Sequence, residues 1–87
     1  MTYAIFVSPR ARRALDVGLP EAVAAACAEF ILGPLAENPY RVGTPLRHEL
    51  AGSYAARRGE FRVIYSIHED RVAVRVVSIR HRRDAHS

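Results

Sequence analysis

Residues 54–67 read YAARRGEFRVIYSI. From Phe61 onward the chain alternates. Phe61, Val63, Tyr65 and Ile67 share one face of an extended strand, and Arg62, Ile64 and Ser66 share the other. Gly59 separates this run from a preceding one, SYAARR (53–58), so the two read as a hairpin. The hairpin brings Arg57, Arg58 and Arg62 close together. Further along, HEDR (68–71) is a polar turn and VAVRVVSI (72–79) is a β-branched strand whose length suits a central position. The chain closes on IRHRRDAHS, Ile79 to Ser87.

Working back from the hairpin, PLRHEL (45–50) is expected to be a short strand closed by Ala51 and Gly52, and NPYRVGTP (38–45) a loop. From Pro20 the apolar positions Val23, Cys27, Phe30, Ile31 and Leu35 recur at helical spacing. Gly33-Pro34 predicts a kink, with the helix ending near Asn38-Pro39. SPRARRAL opens an earlier helix, with Ser8 as N-cap and Pro9 at the first helical position. TYAIFV (2–7) is a short strand. The order is β-α-α-β-β-β-β. It predicts an α+β fold with two N-terminal helices on one face of a mainly antiparallel, roughly five-stranded sheet. The first strand should lie beside the last or a middle strand. The other sheet face is left free, with Arg62 pointing to it.

An 87-residue chain is read as one domain, 1–87, with residues 80–87 a basic C-terminal tail. Hydrophobic content of 49% and charged content of 25% argue against general disorder. The single cysteine, Cys27, cannot form an intrachain disulfide and falls on the helix stripe, as a core residue would. No signal peptide is evident, and Ala22–Leu35 is too short and polar to span a bilayer. A soluble cytoplasmic protein is expected.

Charge is unevenly placed. All 13 basic residues are arginine. Residues 1–40 carry three arginines and four acids, whereas residues 41–87 carry ten arginines and five acids. The first part is therefore −1 and the second +5, and all four histidines also lie in the second. A polyanionic partner for the C-terminal half is implied. Arginine forks bind phosphate bidentately.

Arg62 could be an arginine snorkelling on a wet sheet face, and the terminal run could be a frayed tail. Their expected convergence favours a site. The strand ending at Ile79 should run beside FRVIYSI, and so deliver His81, Arg82 and His86 toward Arg62 and Arg57. Arginines with a histidine suit phosphodiester cleavage by an internal 2′-hydroxyl. The arginines stabilise the extra charge on phosphorus, and histidine moves the proton. Arginine itself, with a pKa above ~12, is a poor base. The sequence contains no GxxxxGK[ST] or GxGxxG run and no zinc-ligand spacing. His48 and Glu49, expected as strand neighbours facing opposite ways, make a weak metal or acid–base pair.

The stretch PLRHELAGSYAARRGEFRVIYSI, followed by VVSIRHRRDAH, resembles the RelE/ParE superfamily of bacterial toxins. The pattern L-x-G-x-Y-x-x-R-x-G-x-x-R-x-x-Y maps onto Leu50, Gly52, Tyr54, Arg57, Gly59, Arg62 and Tyr65. The closing I-x-H-R-x-D maps onto Ile79, His81, Arg82 and Asp84. The resemblance covers essentially the whole chain. It implies a toxin of a type II toxin–antitoxin pair, bound by a cognate antitoxin in a hetero-oligomer. RelE-like members enter the ribosomal A site and cut mRNA. ParE-like members share the fold, poison DNA gyrase and lack a nuclease site. The basic hairpin and the closing HRRD favour the RelE-like branch. A third possibility is a binding-only partner or corepressor module.

By resemblance, Arg62 contacts the scissile phosphate, Arg57 activates or orients the RNA (with Arg58 as a substitute), and Arg82 completes the site. His86 stands where many relatives carry tyrosine. Thr44 stands where a related branch carries a glutamate base, so His81 or His86 is assigned proton transfer. The expected catalytic set is thus Arg57, Arg62, His81, Arg82 and His86. Arg47, Arg58, Arg80 and Arg83 are expected to contact ribosomal or messenger RNA. No metal or other cofactor is expected, because the attacking hydroxyl is internal and arginine supplies the charge.

Overall fold

A computed structural model describes residues 2–81. Five strands form one sheet: β1 (Ala4–Val7), β2 (Thr44–Pro45), β3 (Ser53–Arg58), β4 (Phe61–His68) and β5 (Ala73–His81). Their spatial order is β1-β5-β4-β3-β2. β1 runs parallel to β5, and the other pairs are antiparallel. The α+β architecture therefore holds, and the first strand joins beside the last.

Ser8 starts helix α1 (Pro9–Arg13) as an N-cap: its Oγ accepts from the Ala11 N–H at 3.1 Å. The same hydroxyl donates to the Val77 carbonyl of β5 at 2.6 Å, tying the helix start to the sheet. A wider π-helical turn, Ala14–Gly18, follows. Helix α2 (Glu21–Phe30) likewise passes into a π-helical turn, Ile31–Leu35, that contains Pro34. Proline has no N–H for the regular ladder, and the wider turn absorbs that defect where a kink was expected. Among the described residues no helix is long and apolar enough to cross a membrane.

Two segments depart from the sequence reading. Pro39–Val42, expected as loop, forms a short helical turn, α3, capped by the Asn38 side chain accepting from the Arg41 N–H at 3.3 Å. PLRHEL is not a strand throughout. Only Thr44–Pro45 pairs with β3, and His48–Leu50 is a 3₁₀ turn. Pro45 lacks a ladder donor, and His48 at φ 60° turns the chain out of the extended region. His48 and Glu49 are thus turn neighbours, not the strand pair expected.

The helices cover one sheet face. Val23, Cys27, Phe30, Ile31 and Leu35 pack with Ala56, Val63, Tyr65, Val74, Val76 and Ile79. Phe30 and Phe61 meet with ring centroids 6.2 Å apart. Tyr65, fully buried, donates to the Pro39 carbonyl at 2.6 Å and stacks on Tyr54 at 5.7 Å. Burial pushes its phenol up to about 12, so it remains a donor at neutral pH. A Cβ at Gly43 would collide with that hydroxyl, so the close approach of chain and ring requires glycine there. Burial also pushes the Cys27 thiol up to about 11, as suits a core residue.

Candidate functional site

The site is a row of arginines on the opposite, open face. Gly59, at φ 51°, makes the tight turn between β3 and β4. That turn sets Arg57 directly opposite Arg62. On the other side of β4, Arg80 of β5 lies directly opposite the same residue. Residues paired in this way point to the same face, with Cα atoms roughly 5 Å apart. Arg57, Arg62 and Arg80 thus form one continuous row across three strands, and all three are exposed. Together with Glu60 and His81 they line a cleft of about 380 Å³.

Like charges directly opposite one another destabilise a sheet by ~0.2–1 kcal/mol per pair. The row contains two such pairs, Arg57–Arg62 and Arg62–Arg80. None of the five strands contains an acidic residue. Among the described residues the cleft thus sets three arginines against one acid, Glu60 of the turn, and the positive charge in excess is what a phosphate group can relieve. Because the arginines sit on strands, their backbones are fixed, and each guanidinium fork is itself planar and rigid.

The remaining expected site residues are placed differently. Arg58 belongs to the helix-facing row with Phe61, and its guanidinium lies over the Phe30 ring at 4.8 Å from the centroid. That cation–π contact turns it away from the row. His81 also pairs with Phe61 and is 7% exposed, so it borders the cleft from the buried side. Arg47 is exposed and follows Leu46, whose N–H bonds the Ser53 carbonyl. Ser53 lies at the far end of β3 from Arg57, roughly 13 Å along the strand. Arg82, Arg83 and His86 lie outside the described residues.

Arg80 is the residue that strand alternation alone misplaces. Arg75 pairs with Ser66 on the open face. Five residues further on, strict alternation would give that face to Ile79 and His81 and turn Arg80 inward. The pairing shifts by one residue opposite the Ile64–Tyr65 step, with Val77 as the extra residue. This bulge reverses the alternation, turns Arg80 outward beside Arg62 and turns His81 inward. Arg80 and His81, read from sequence as the start of a tail, are the last two residues of β5.

Known proteins resemble this chain along nearly its whole length. The family model described as "ParE toxin of type II toxin-antitoxin system, parDE" matches residues 5–86. The chain belongs to this toxin family. It is 45% identical over 80 residues to Toxin RelE of Mycobacterium tuberculosis (strain ATCC 25618 / H37Rv), spanning 92% of this chain and 81% of the relative. It is 43% identical over 84 residues to Toxin RelG of the same organism, spanning 97% and 95%. Its structure superimposes on a chain of the Mycobacterium tuberculosis toxin–antitoxin complex RelBE2 with a TM-score of 0.90. That match is 41% identical and covers 94% of this chain and 93% of the other. The resemblance to the RelE/ParE superfamily is therefore a relationship, and the chain is a toxin of the type II class.

Proposed function

We propose that this toxin is a ribosome-dependent mRNA endonuclease of the RelE-like kind. The observation that carries the reading is the Arg57–Arg62–Arg80 row on an open sheet face whose strands bear no acid. The identity with Toxin RelE supports it.

In the proposed reaction the 2′-oxygen of a nucleotide attacks its own 3′-phosphate. The O2′–P bond forms and the P–O5′ bond to the next nucleotide breaks. The products are a 2′,3′-cyclic phosphate and a free 5′-hydroxyl. Arg62, central in the row, binds the scissile phosphate, with Arg57 and Arg80 on either side. Together they neutralise the charge gained on phosphorus. One proton leaves the 2′-hydroxyl and one reaches the 5′-oxygen. His81, bordering the cleft, and His86 are assigned these transfers, and Arg82 completes the phosphate contacts. Arg47, Arg58 and Arg83 are assigned to RNA backbone contacts. The chain is further proposed to act in the cytoplasm and to be held inactive by a cognate antitoxin, as the complex RelBE2 pairs its own components.

A second reading draws on the ParE description of the matching family model: inhibition of DNA gyrase without RNA cleavage. Induced expression in a bacterial host separates the two. The nuclease reading expects protein synthesis to stop first, with no early DNA damage response. DNA breaks and an SOS response preceding any fall in translation would transfer the toxin to the gyrase reading.

A further inference from the structure

The open face carries a second feature at the β1–β5 corner. Phe6 of β1 is 59% exposed, an unusual degree for a phenylalanine within a strand. Its direct partner across the parallel pair is Arg75. Arg75 in turn lies opposite Ser66 of β4, whose hydroxyl is 3.0 Å from the His68 Nε2. Phe6, His68, Arg71 and Arg75 line one cavity of about 360 Å³.

The two acids of the adjoining turn, Glu69 and Asp70, equal Arg71 and Arg75 in number, but each is engaged by a partner other than Arg75. Glu69 accepts a hydrogen bond from the Tyr3 hydroxyl at 2.8 Å, and Tyr3 packs on the helix-side core. Asp70 lies 3.9 Å from Arg71 and shares its charge. Arg75 is then the cation of the corner that neither acid contacts. An exposed aromatic ring beside an arginine offers a base a stacking surface and its phosphate a counter-charge.

We infer that Phe6, His68 and Arg75 form a second site for single-stranded RNA, separate from the arginine row. Arg75 and Arg80 lie on the same face, roughly 15 Å apart along β5. Between the two sites the paired residues on that face include Ala55, Ile64, Ser66 and Ser78, which put no acid in the path of a strand. A strand held at the row would continue across this surface to the corner, where Phe6 stacks on one base. The inference rests on RNA being the substrate of the row, but binding at the corner can be measured without cleavage.

The test is fluorescence anisotropy with a labelled single-stranded RNA of about twelve nucleotides, long enough to reach both sites. Wild type, Phe6→Ala, Arg75→Ala and Arg62→Ala are compared over a range of salt. Circular dichroism verifies folding, which the exposure of Phe6 and Arg75 should preserve. Phe6→Ala is expected to weaken binding roughly fivefold or more. Arg75→Ala is expected to weaken it and to reduce the salt slope by about 0.7. An affinity within twofold of wild type in both variants, with Arg62→Ala weakened, overturns the corner site and leaves the nuclease reading standing. Cleavage on ribosomes by wild type, assayed separately, shows whether the nuclease reading itself fails.

Discussion

Arg57 and Arg62 are direct cross-strand partners in the β3–β4 hairpin. A fold selected for stability alone would not place two guanidinium groups side by side on adjacent strands, nor add Arg80 on the far side. Function and stability should therefore pull apart at this row. Arg62→Ala is expected to abolish growth inhibition. It removes both like-charge pairs, so it should leave stability unchanged or raise it by ~0.2–1 kcal/mol per pair. Urea denaturation of the purified variant beside wild type checks the second expectation. A clear loss of stability would show that Arg62 is a structural residue.

The same repulsion makes the folded protein responsive to anions. Sulfate or phosphate should raise Tm more than chloride at equal ionic strength, because an ion bound only by the folded state stabilises it. The difference between anions should shrink in Arg62→Ala. Differential scanning fluorimetry across an anion series reads both effects. An equal response in the variant would mean that the ions bind elsewhere.

Gly43 and Tyr65 offer a test of the packing that supports the hairpin. Gly43→Ala forces a methyl group toward the Tyr65 hydroxyl. Its expected cost is about 1–3 kcal/mol, the usual range for overpacking. Tyr65→Phe should cost about 0.5–1.5 kcal/mol through loss of the bond to the Pro39 carbonyl. The double variant should be more stable than the sum of the two costs implies, because the phenylalanine removes the atom that is struck first. Additive costs in a double-mutant cycle would place the strain of Gly43→Ala elsewhere.

Ser8 links helix capping to the site. Its hydroxyl serves the Ala11 N–H and the carbonyl of Val77, the bulge residue that turns Arg80 outward. Ser8→Ala is expected to cost about 1–2 kcal/mol. Hydrogen exchange at the amides of β5 around Val77 should quicken more than exchange in β3. Uniform quickening across the sheet would reduce Ser8 to an ordinary cap.

Alkaline pH should destabilise the protein in a defined window. In the folded state burial raises the Cys27 thiol from 9.0 to about 11 and the Tyr65 phenol from 10.0 to about 12. Each raised value means that the unfolded chain loses its proton first. The contribution is complete below pH 9 and is lost as pH climbs through the folded values. Stability measured from pH 8 to 11 should fall from about pH 9. In Cys27→Ala, whatever its absolute stability, the earliest part of that decline should vanish. An unchanged onset would show that Cys27 does not titrate in this range.

Much of the fold was legible because period-two alternation in FRVIYSI and helical spacing from Val23 to Leu35 are strong local signals. Ser8-Pro9 and Gly59 marked their boundaries through residue chemistry alone. What escaped was set by contacts distant in sequence. PLRHEL has the composition of a strand, but Pro45 and the left-handed His48 limit its pairing to two residues. Arg58 neighbours Arg57 in sequence, yet alternation and the Phe30 ring take it to the other face. The bulge at Val77 leaves no residue signature, since valine occurs throughout β5, so the facing of Arg80 and His81 had to come from the register. Phe6 and Arg75 attract no notice in sequence because each is an ordinary strand residue until β1 is laid parallel to β5.

The most direct measurement is primer extension on a short mRNA incubated with purified toxin, with and without programmed ribosomes. Wild type, Arg62→Ala and Arg80→Ala would run side by side. Cuts that require ribosomes, disappear in Arg62→Ala and weaken at least tenfold in Arg80→Ala, a loss of about 1.4 kcal/mol of transition-state stabilisation, are the expected result. Uncut mRNA under every condition from folded wild-type protein, or undiminished cutting by Arg62→Ala, would contradict the assignment of the arginine row as a nuclease site.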